Sequence, residues 1–386
     1  MQPTQVSSRT PFLALGGGNI SQSMRSTSSV ADRPLPFSSN ERFRVGLCVP
    51  MRGSEGIWGP SCVAAARLGH AELNKGDGIA QRPCDLQFVD SSDEAPDVEG
   101  ALVELVESGE IDAIVGMCIS SVRDRIVRAV GGRVPFVYTC LHEGCEASPG
   151  LYSIGETSLA QLRPSFAWIS ARTTVRRWML VGPDYSWPRV SHQIARRCIA
   201  ESGGEVVAEA VVPFGSDDYS ELFDRLRNSG ADGILISMVG QDAVDFNRAF
   251  GREGLARRVL RLSCAIEENQ LLAIGADNTE NLHVALGYFA ALETDANLSF
   301  KERYHAALGA RAPQVNSIGQ SLYEGMHFLA TLLDTGKPSD GSAFGARGPI
   351  AYPSARAARY VRGGFAQAPM YLSRAEGHAF RVLARF

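Results

Sequence analysis

Short apolar runs alternate with longer, periodically apolar segments from Phe43 onward. Short runs rich in β-branched and aromatic residues predict buried strands, while apolar positions that recur every three or four residues predict helices covering a sheet. In the first part of the chain the predicted strands are Phe43–Val49, Leu86–Val89, Ala113–Cys118 and Val134–Thr139, and the predicted helices are Pro60–Asn74, Val98–Glu107 and Ser121–Val130.

A second series of segments repeats the same alternation of predicted strands and helices. Its predicted strands are Trp178–Val181, Val206–Val212, Gly233–Met238 and Val259–Leu262, with helical segments near 188–202, 218–228 and 241–252. Right-handed crossovers would turn each series into a doubly wound parallel α/β lobe, with its ligand crevice outside the carboxyl ends of the strands.

The chain then returns to both lobes. Leu282–Phe289 is predicted as a strand, Val315–Leu333 as a helix, and Met370–Ser373 and Ala379–Leu383 as strands. Such a path implies an α/β fold of two doubly wound parallel-sheet lobes joined by several crossing hinge strands, which suits closure around a ligand. The predicted domains are a disordered leader at 1–42, a first lobe from 43–157 and 287–344, and a second lobe from 158–286 and 345–386.

Charge and composition narrow the function classes. The 386 residues carry 38 basic and 42 acidic side chains, so no broad positive surface is available and direct nucleic-acid binding is disfavoured. No apolar run reaches the roughly 18 residues of a membrane span. Residues 1–42 lack the apolar core of a secretory signal, which predicts a cytoplasmic protein, with export as the alternative.

Motifs of cofactor and metal chemistry are missing from the sequence. The eight cysteines form no CxxC pair and no zinc-ligand spacing, which predicts reduced and mostly buried thiols. No Walker, G-x-G-x-x-G, G-x-S-x-G or H-E-x-x-H pattern occurs, so neither a cofactor nor a metal is expected. The cluster Cys140-Leu-His142-Glu143 suggests a nucleophile pair, but catalytic groups usually come from distant segments, and a non-catalytic loop at a cleft is favoured.

Two strand-to-helix junctions are candidate ligand contacts. In the first lobe, Ser120 or Ser121 is expected to cap a helix whose backbone N–H groups point into the crevice. In the second lobe, Tyr185 and Trp187 occupy the equivalent junction, where aromatic rings can cover an apolar ligand face. An ordinary cap and ordinary loop packing remain the alternatives.

Two patterns at these junctions carry a family resemblance. They are Y-x-x-x-x-E-G-x-E-x-S-P over 138–149 and G-x-D-Y-x-x-P-R over 182–189. On these residues the chain, from about Phe43 to Phe386, resembles the type I periplasmic-binding-protein superfamily. Within it, the chain is similar to the urea-binding proteins and to the amide-sensing negative regulator of the aliphatic amidase operon.

The resemblance implies roles for seven residues. Ser120 matches a serine that holds the ligand amide, while Cys118 stands where an aromatic is common and Cys140 where the amide sensor has threonine. Thiols hydrogen-bond more weakly than hydroxyls, which favours a larger or less polar amide than urea. The further matches are two residues that close on the ligand, Tyr185 and Trp187, and two on the cleft rim, Gly240 and Glu267.

The function implied by the resemblance is a cytoplasmic sensor. It would close around a small aliphatic amide-like ligand and control an antiterminator-like, RNA-binding regulatory protein. The alternative is an exported substrate-binding protein that delivers urea, a short-chain amide or a branched-chain amino acid to an ABC permease. An amino acid would need a carboxylate for its ammonium group, from Glu143, Asp184 or Glu267. Self-association into a homo-oligomer stays open.

Overall fold

The first lobe is built on a five-stranded parallel sheet. The computed structural model describes residues 42–144, 148–335, 349–361 and 366–386. Helices α1 (Gly59–Lys75), α2 (Val98–Glu107) and α3 (Ser120–Val130) follow its first three strands. The sheet has the order β2-β1-β3-β4-β5, formed by β1 (Phe43–Val49), β2 (Cys84–Asp90), β3 (Ala113–Gly116), β4 (Phe136–Tyr138) and β5 (Leu151–Ser153).

The second lobe is built on a seven-stranded mixed sheet of order β15-β14-β10-β9-β8-β6-β7. Its parallel strands are β6 (Arg177–Gly182), β7 (Glu205–Val211), β8 (Gly233–Ile236), β9 (Leu260–Ser263) and β10 (Leu282–Leu286). The antiparallel edge is formed by β14 (Tyr371–Glu376) and β15 (Ala379–Arg385). Its helices are α5 (Ser186–Glu201), α6 (Ser220–Ser229), α7 (Gly240–Arg252) and α8 (Glu268–Ile274).

The remaining elements pack on one lobe or the other. They are α4 (Ser158–Arg172), α9 (Asp295–Leu308), α10 (Ser317–Thr335) and the short antiparallel strands β11 (Ile350–Ala351), β12 (Arg359–Tyr360) and β13 (Ala366–Gln367). Helix α10 packs on α1 and on β3, which returns the chain to the first lobe after β10. Gly69 and Gly325 allow this close packing, because a Cβ at either would lie within 3.2 Å of a side chain across the contact.

The predicted strands and helices are confirmed to within three residues at each end. The pattern missed β5, α4, α8, α9 and the two-residue strands β11, β12 and β13. The strand β5 has only three residues, and α4 carries an internal Pro164 with little apolar periodicity. The domain boundaries given above stay predictions.

The predicted 1–42 leader lies outside the described residues, apart from Arg42, which donates two hydrogen bonds to Asp85. Residues 336–348 and Cys145 lie outside them as well. The seven cysteines in the described part are free and buried, as expected. Among the described helices, none has the length and apolar character to cross a membrane.

A buried ion network joins the crossing segments. The Arg356 guanidinium donates to Glu156 Oε1 at 2.7 Å, to Glu324 Oε2 at 2.9 Å and to the Ile154 carbonyl at 2.9 Å. Glu156 Oε1 also accepts the backbone N–H of Gly287 at 2.9 Å, so segments around residues 156, 287, 324 and 356 meet at this network. Because the three charged side chains are nearly inaccessible to water, each depends on the others for its solvation.

Candidate functional site

The candidate site is the cleft where the carboxyl ends of the parallel strands of the two sheets meet. The first lobe contacts the second directly, because Asn269 Nδ2 donates to the Ile57 carbonyl at 3.0 Å and Ser54 Oγ donates to the Val239 carbonyl at 3.1 Å. The cleft is therefore closed. All seven residues predicted from the sequence are buried at or beside it: Cys118, Ser120, Cys140, Tyr185, Trp187, Gly240 and Glu267.

The prediction that Ser120 or Ser121 caps α3 is wrong. The helix begins at Ser120 itself, and the extended Ile119 takes the N-cap position without a side-chain cap. The Ser120 hydroxyl instead donates to Glu143 Oε2 at 2.9 Å. A hydroxyl has a single proton, so in this arrangement the Ser120 side chain can only accept a hydrogen bond from a ligand.

Glu143 is already paired. Arg123 Nη2 donates to Glu143 Oε1 at 2.8 Å, in addition to the bond from Ser120. Burial alone would raise the pKa of Glu143, but the hydrogen bonds and positive charge of Arg123 lower it below its usual value. This carboxylate is therefore a poor candidate for holding a second cation.

Asp184 is excluded as an ammonium partner by its position. Its side chain is 55% exposed and accepts a hydrogen bond from Arg189 Nε at 2.5 Å. An exposed carboxylate that is already paired contributes little to the affinity for a further cation. The three carboxylates that the sequence offered are thus reduced to Glu267.

Glu267 is fully buried at the N-terminus of α8. Its side chain and Gln270 form a capping box, and its Oε2 lies 3.4 Å from the backbone N–H of Ile318. Its Oε1 has no hydrogen-bond partner among the described residues. Burial, reinforced by the neighbouring Glu268 carboxyl, raises the pKa of Glu267 well above its usual value. In this closed cleft burial favours the neutral form of the Glu267 carboxyl, and its Oε1 keeps hydrogen-bonding capacity to spare.

Two tryptophans beside the cleft have similarly unused donors. Trp58 and Trp187 are each 3% exposed, and neither indole N–H has a hydrogen-bond partner in the described structure. The Trp58 indole is close enough to Glu267 to favour the ionised form of the carboxyl. Sequence reasoning missed Trp58, which lies in the turn before α1 where no periodic pattern marks it.

An aromatic pair closes the second-lobe side. The ring of Tyr185, at the start of α5, stacks on Phe214 with centroids 5.6 Å apart and an angle of 29° between the planes. Tyr185 is buried while Phe214 is 40% exposed, so Phe214 shields the tyrosine from solvent. No sequence pattern assigned a role to Phe214.

The thiols of Cys118 and Cys140 give one wall of the cleft a weakly polar surface. Burial raises the pKa of both Cys118 and Cys140, and the Glu267 and Glu156 carboxylates reinforce the effect at Cys140. The nearby His142 is buried, which lowers its pKa to about 4. A thiol that resists ionisation is not an activated nucleophile.

We expect no hydrolytic turnover at this cluster. The purified protein should not hydrolyse short amides, esters or nitriles, because the Cys140 thiolate is strongly disfavoured. Cys140→Ala should alter solute affinity and leave background hydrolysis unchanged, as measured by product release. Turnover by the wild type that this substitution abolished would instead identify an enzyme.

Gly240 is explained by a contact between lobes. It has φ +57°, and a Cβ at this position would lie 2.1 Å from the Ser54 carbonyl oxygen. Gln270 Nε2 donates to the Gly240 carbonyl at 3.0 Å, which links this residue to the Glu267 capping box. The predicted ligand contact of Gly240 stays a prediction, and the packing alone requires glycine.

Comparison with known families identifies the class. The family model described as periplasmic binding protein matches residues 42–379, and the chain belongs to this family. The predicted type I fold is thereby confirmed. The resemblance to the amide-sensing branch stays a prediction.

Solved structures agree on the fold. A Rhodopseudomonas palustris HaA2 solute-binding protein of an ABC transporter, in complex with p-hydroxybenzoic acid, has a TM-score of 0.78 at 18% identity, covering 89% of this chain and 97% of that one. A Burkholderia xenovorans periplasmic ligand-binding protein of a branched-chain amino acid ABC transporter has a TM-score of 0.71 at 19% identity, covering 89% and 95%. At such identities the likeness establishes the fold.

One curated relative is the Leu/Ile/Val-binding protein homolog 6 of Brucella melitensis, 26% identical over 172 residues. The match covers 43% of this chain and 43% of that relative's length. The Brucella relative and the two solved structures are ligand-binding proteins, which is consistent with a chain that is not an enzyme.

Proposed function

We propose that this chain is the solute-binding component of an ABC-type uptake system and that its solute is a small amino acid with an apolar side chain. The observation that carries the proposal is the Glu267 carboxyl, which is fully buried between the lobes with one oxygen unpartnered among the described residues. A buried carboxyl of this kind is matched by a ligand that brings its own cation.

An ammonium group would restore the charge of Glu267. Two opposite charges about 4 Å apart attract by roughly 4 kcal/mol at an effective dielectric constant of about 20, which opposes the desolvation that otherwise keeps the carboxyl neutral. The Trp58 indole lies close enough to Glu267 to favour the ionised form of the carboxyl. The ammonium of an amino acid therefore fits the second-lobe side of the cleft.

The carboxylate of the same solute would lie at the N-terminus of α3. The first turn of a helix leaves backbone N–H groups without intrahelical partners, and the helix dipole favours an anion there. Ser120 opens this helix, and its hydroxyl is engaged with Glu143, so the backbone is the donor that remains. The weakly polar thiols of Cys118 and Cys140 and the Tyr185 ring then suit an apolar side chain.

This charge arrangement separates two solute classes found among the structural neighbours. The Rhodopseudomonas palustris protein holds an aromatic acid, whereas the Burkholderia xenovorans protein belongs to a branched-chain amino acid transporter. An aromatic acid brings negative charge and no cation for Glu267. The amino acid is therefore the better match, and delivery to an ABC permease would place this protein outside the cytoplasm.

A second candidate is the amide sensor. A neutral carboxylic acid both donates and accepts a hydrogen bond, which is the complement of a primary amide. The raised pKa of Glu267 supports this pairing as well. In that case the closed form would control an antiterminator-like regulatory protein from the cytoplasm, as the motifs at 138–149 and 182–189 imply.

Proton counting distinguishes the two candidates. In an open cleft Glu267 faces water and is ionised at pH 7. Binding an ammonium group keeps it ionised, whereas binding an amide makes it take up about one proton, because burial then raises its pKa. Calorimetric titrations of leucine, valine, acetamide and butyramide, in two buffers of different ionisation enthalpy, measure that number. Tight leucine or valine binding without proton uptake supports the amino-acid proposal, whereas amide binding with uptake of one proton supports the sensor.

A further inference from the structure

Helix α7 of the second lobe is capped by a residue of the first lobe. Its own N-cap residue, Val239, provides no side-chain cap. The Ser54 hydroxyl instead accepts the backbone N–H of Asp242 at 3.0 Å and donates to the Val239 carbonyl at 3.1 Å. Ser54 begins the 3₁₀ turn Ser54–Trp58, which precedes α1. Because Ser54 follows β1 of the first lobe and α7 belongs to the second, this cap exists only while the lobes are together.

Two further contacts belong to the same turn. The Ser54 carbonyl fills the space where Gly240 lacks a Cβ, at 2.1 Å from the position a methyl group would take. At the other end of the turn, Asn269 Nδ2 donates to the Ile57 carbonyl at 3.0 Å. None of these contacts involves a solute.

We propose that the turn Ser54–Trp58 is a latch that closes the two lobes without any solute, and that it closes them more firmly as the pH falls. The latch stabilises the closed form because Ser54 caps α7, whose N-terminus has no side-chain cap of its own. A solute would then bind to a cleft that is already closed part of the time. Its apparent affinity would depend on the population of that closed form.

The acid dependence comes from Glu55, the second residue of the latch. It is 4% exposed in the closed form, and its Oε2 accepts the backbone N–H of Asp93 at 3.1 Å. Burial raises the pKa of Glu55 to about 7 from an ordinary value of 4.5. The groups that act on it or lie within range of its charge are Asp93 and Glu94 of the first lobe, Asp242 and Tyr185 of the second, and the Cys118 thiol.

The nearby cations have their own partners. Arg52 pairs with Asp90 at 2.8 Å, and Arg125 pairs with Asp93 and Glu99.

The direction of the pH effect on closure follows from the pKa of Glu55, which is about 7 in the closed form and has its ordinary value of 4.5 in the open form. The closed form holds a proton that the open form releases, so closure has no penalty from Glu55 below about pH 4.5. The penalty grows as the pH rises to about 7 and is constant above it.

The first test uses the full chain without solute and measures its radius of gyration by small-angle X-ray scattering. Gly240→Ala should shift the protein to a larger radius, because the methyl group and the Ser54 carbonyl cannot occupy the same space. The matched control is Gly254→Ala, which has a similar φ of +66° and no atom within 4 Å of the added methyl group in the described structure. An equal radius for both variants would overturn the latch.

The second test addresses folding and pH. Ser54→Ala removes the cap with little risk to either lobe and should also enlarge the radius, with thermal melts confirming that the variants are folded. The wild type should become more compact between pH 8 and pH 5, and Glu55→Gln should lose most of that change. A wild type that is equally open at both pH values, or an unchanged pH response in Glu55→Gln, would contradict the proposal. Because no solute is present, these outcomes do not depend on what the protein carries.

Discussion

Glu267→Gln is expected to lower the affinity for an amino-acid solute by about 30-fold to several thousand-fold. Removing one partner of a buried, hydrogen-bonded charge pair typically costs about 2 to 5 kcal/mol, which corresponds to that range of dissociation constants. Glutamine keeps the length and the acceptor oxygen that completes the α8 capping box with Gln270. The loss should therefore appear in binding, while the melting temperature stays close to that of the wild type.

The matched control is Glu268→Gln. This neighbouring carboxyl is also buried, with a pKa raised to about 7 and its Oε2 likewise unpartnered among the described residues, but its Oε1 accepts the backbone N–H of Ala290 and the charge of Lys301 acts on it. Calorimetric titration of both variants with the amino acid that binds the wild type measures the difference. A Glu267→Gln protein that retained wild-type affinity, or a larger loss in Glu268→Gln, would place the ammonium group elsewhere.

Arg356→Met is expected to lower the free energy of unfolding by about 3 to 5 kcal/mol, the usual cost of leaving a buried charge without its partner. The substitution leaves the Glu156 and Glu324 carboxylates buried and facing each other across the space of the lost guanidinium. It also removes the donor to the Ile154 carbonyl, so the crossing segments lose their common partner.

Urea unfolding followed by far-UV circular dichroism measures this loss. The control is Arg163→Met, which removes a two-bond pair with Glu201 of similar geometry on the surface. Exposed pairs contribute little, so this variant should unfold close to the wild type. If the two substitutions destabilised the protein equally, the crossing network would not be the structural centre inferred above.

Much of the fold was predictable because its signals are local. Each predicted strand of the parallel sheets is a short apolar run, and each predicted helix has apolar positions that recur every three or four residues. Elements with a weak local signal were missed: β5 is three residues long, and α8 is seven. Within the site, Tyr185 and Trp187 were predicted from a strand-to-helix junction and Cys118 and Cys140 from the family resemblance, and their contacts with a solute stay predictions.

Residue spacing within single segments was enough to predict the fold class, the two series of strands and the edge at which the cleft forms. Which of the candidate carboxyls lacks a cationic partner depends on the packing of distant segments, because Glu143 is neutralised by Arg123 from another element while Glu267 is buried without such a partner. It also decided that Gly240 faces Ser54. Contacts of this kind join residues far apart in the chain, and their distances follow from how two lobes pack rather than from the pattern within either one.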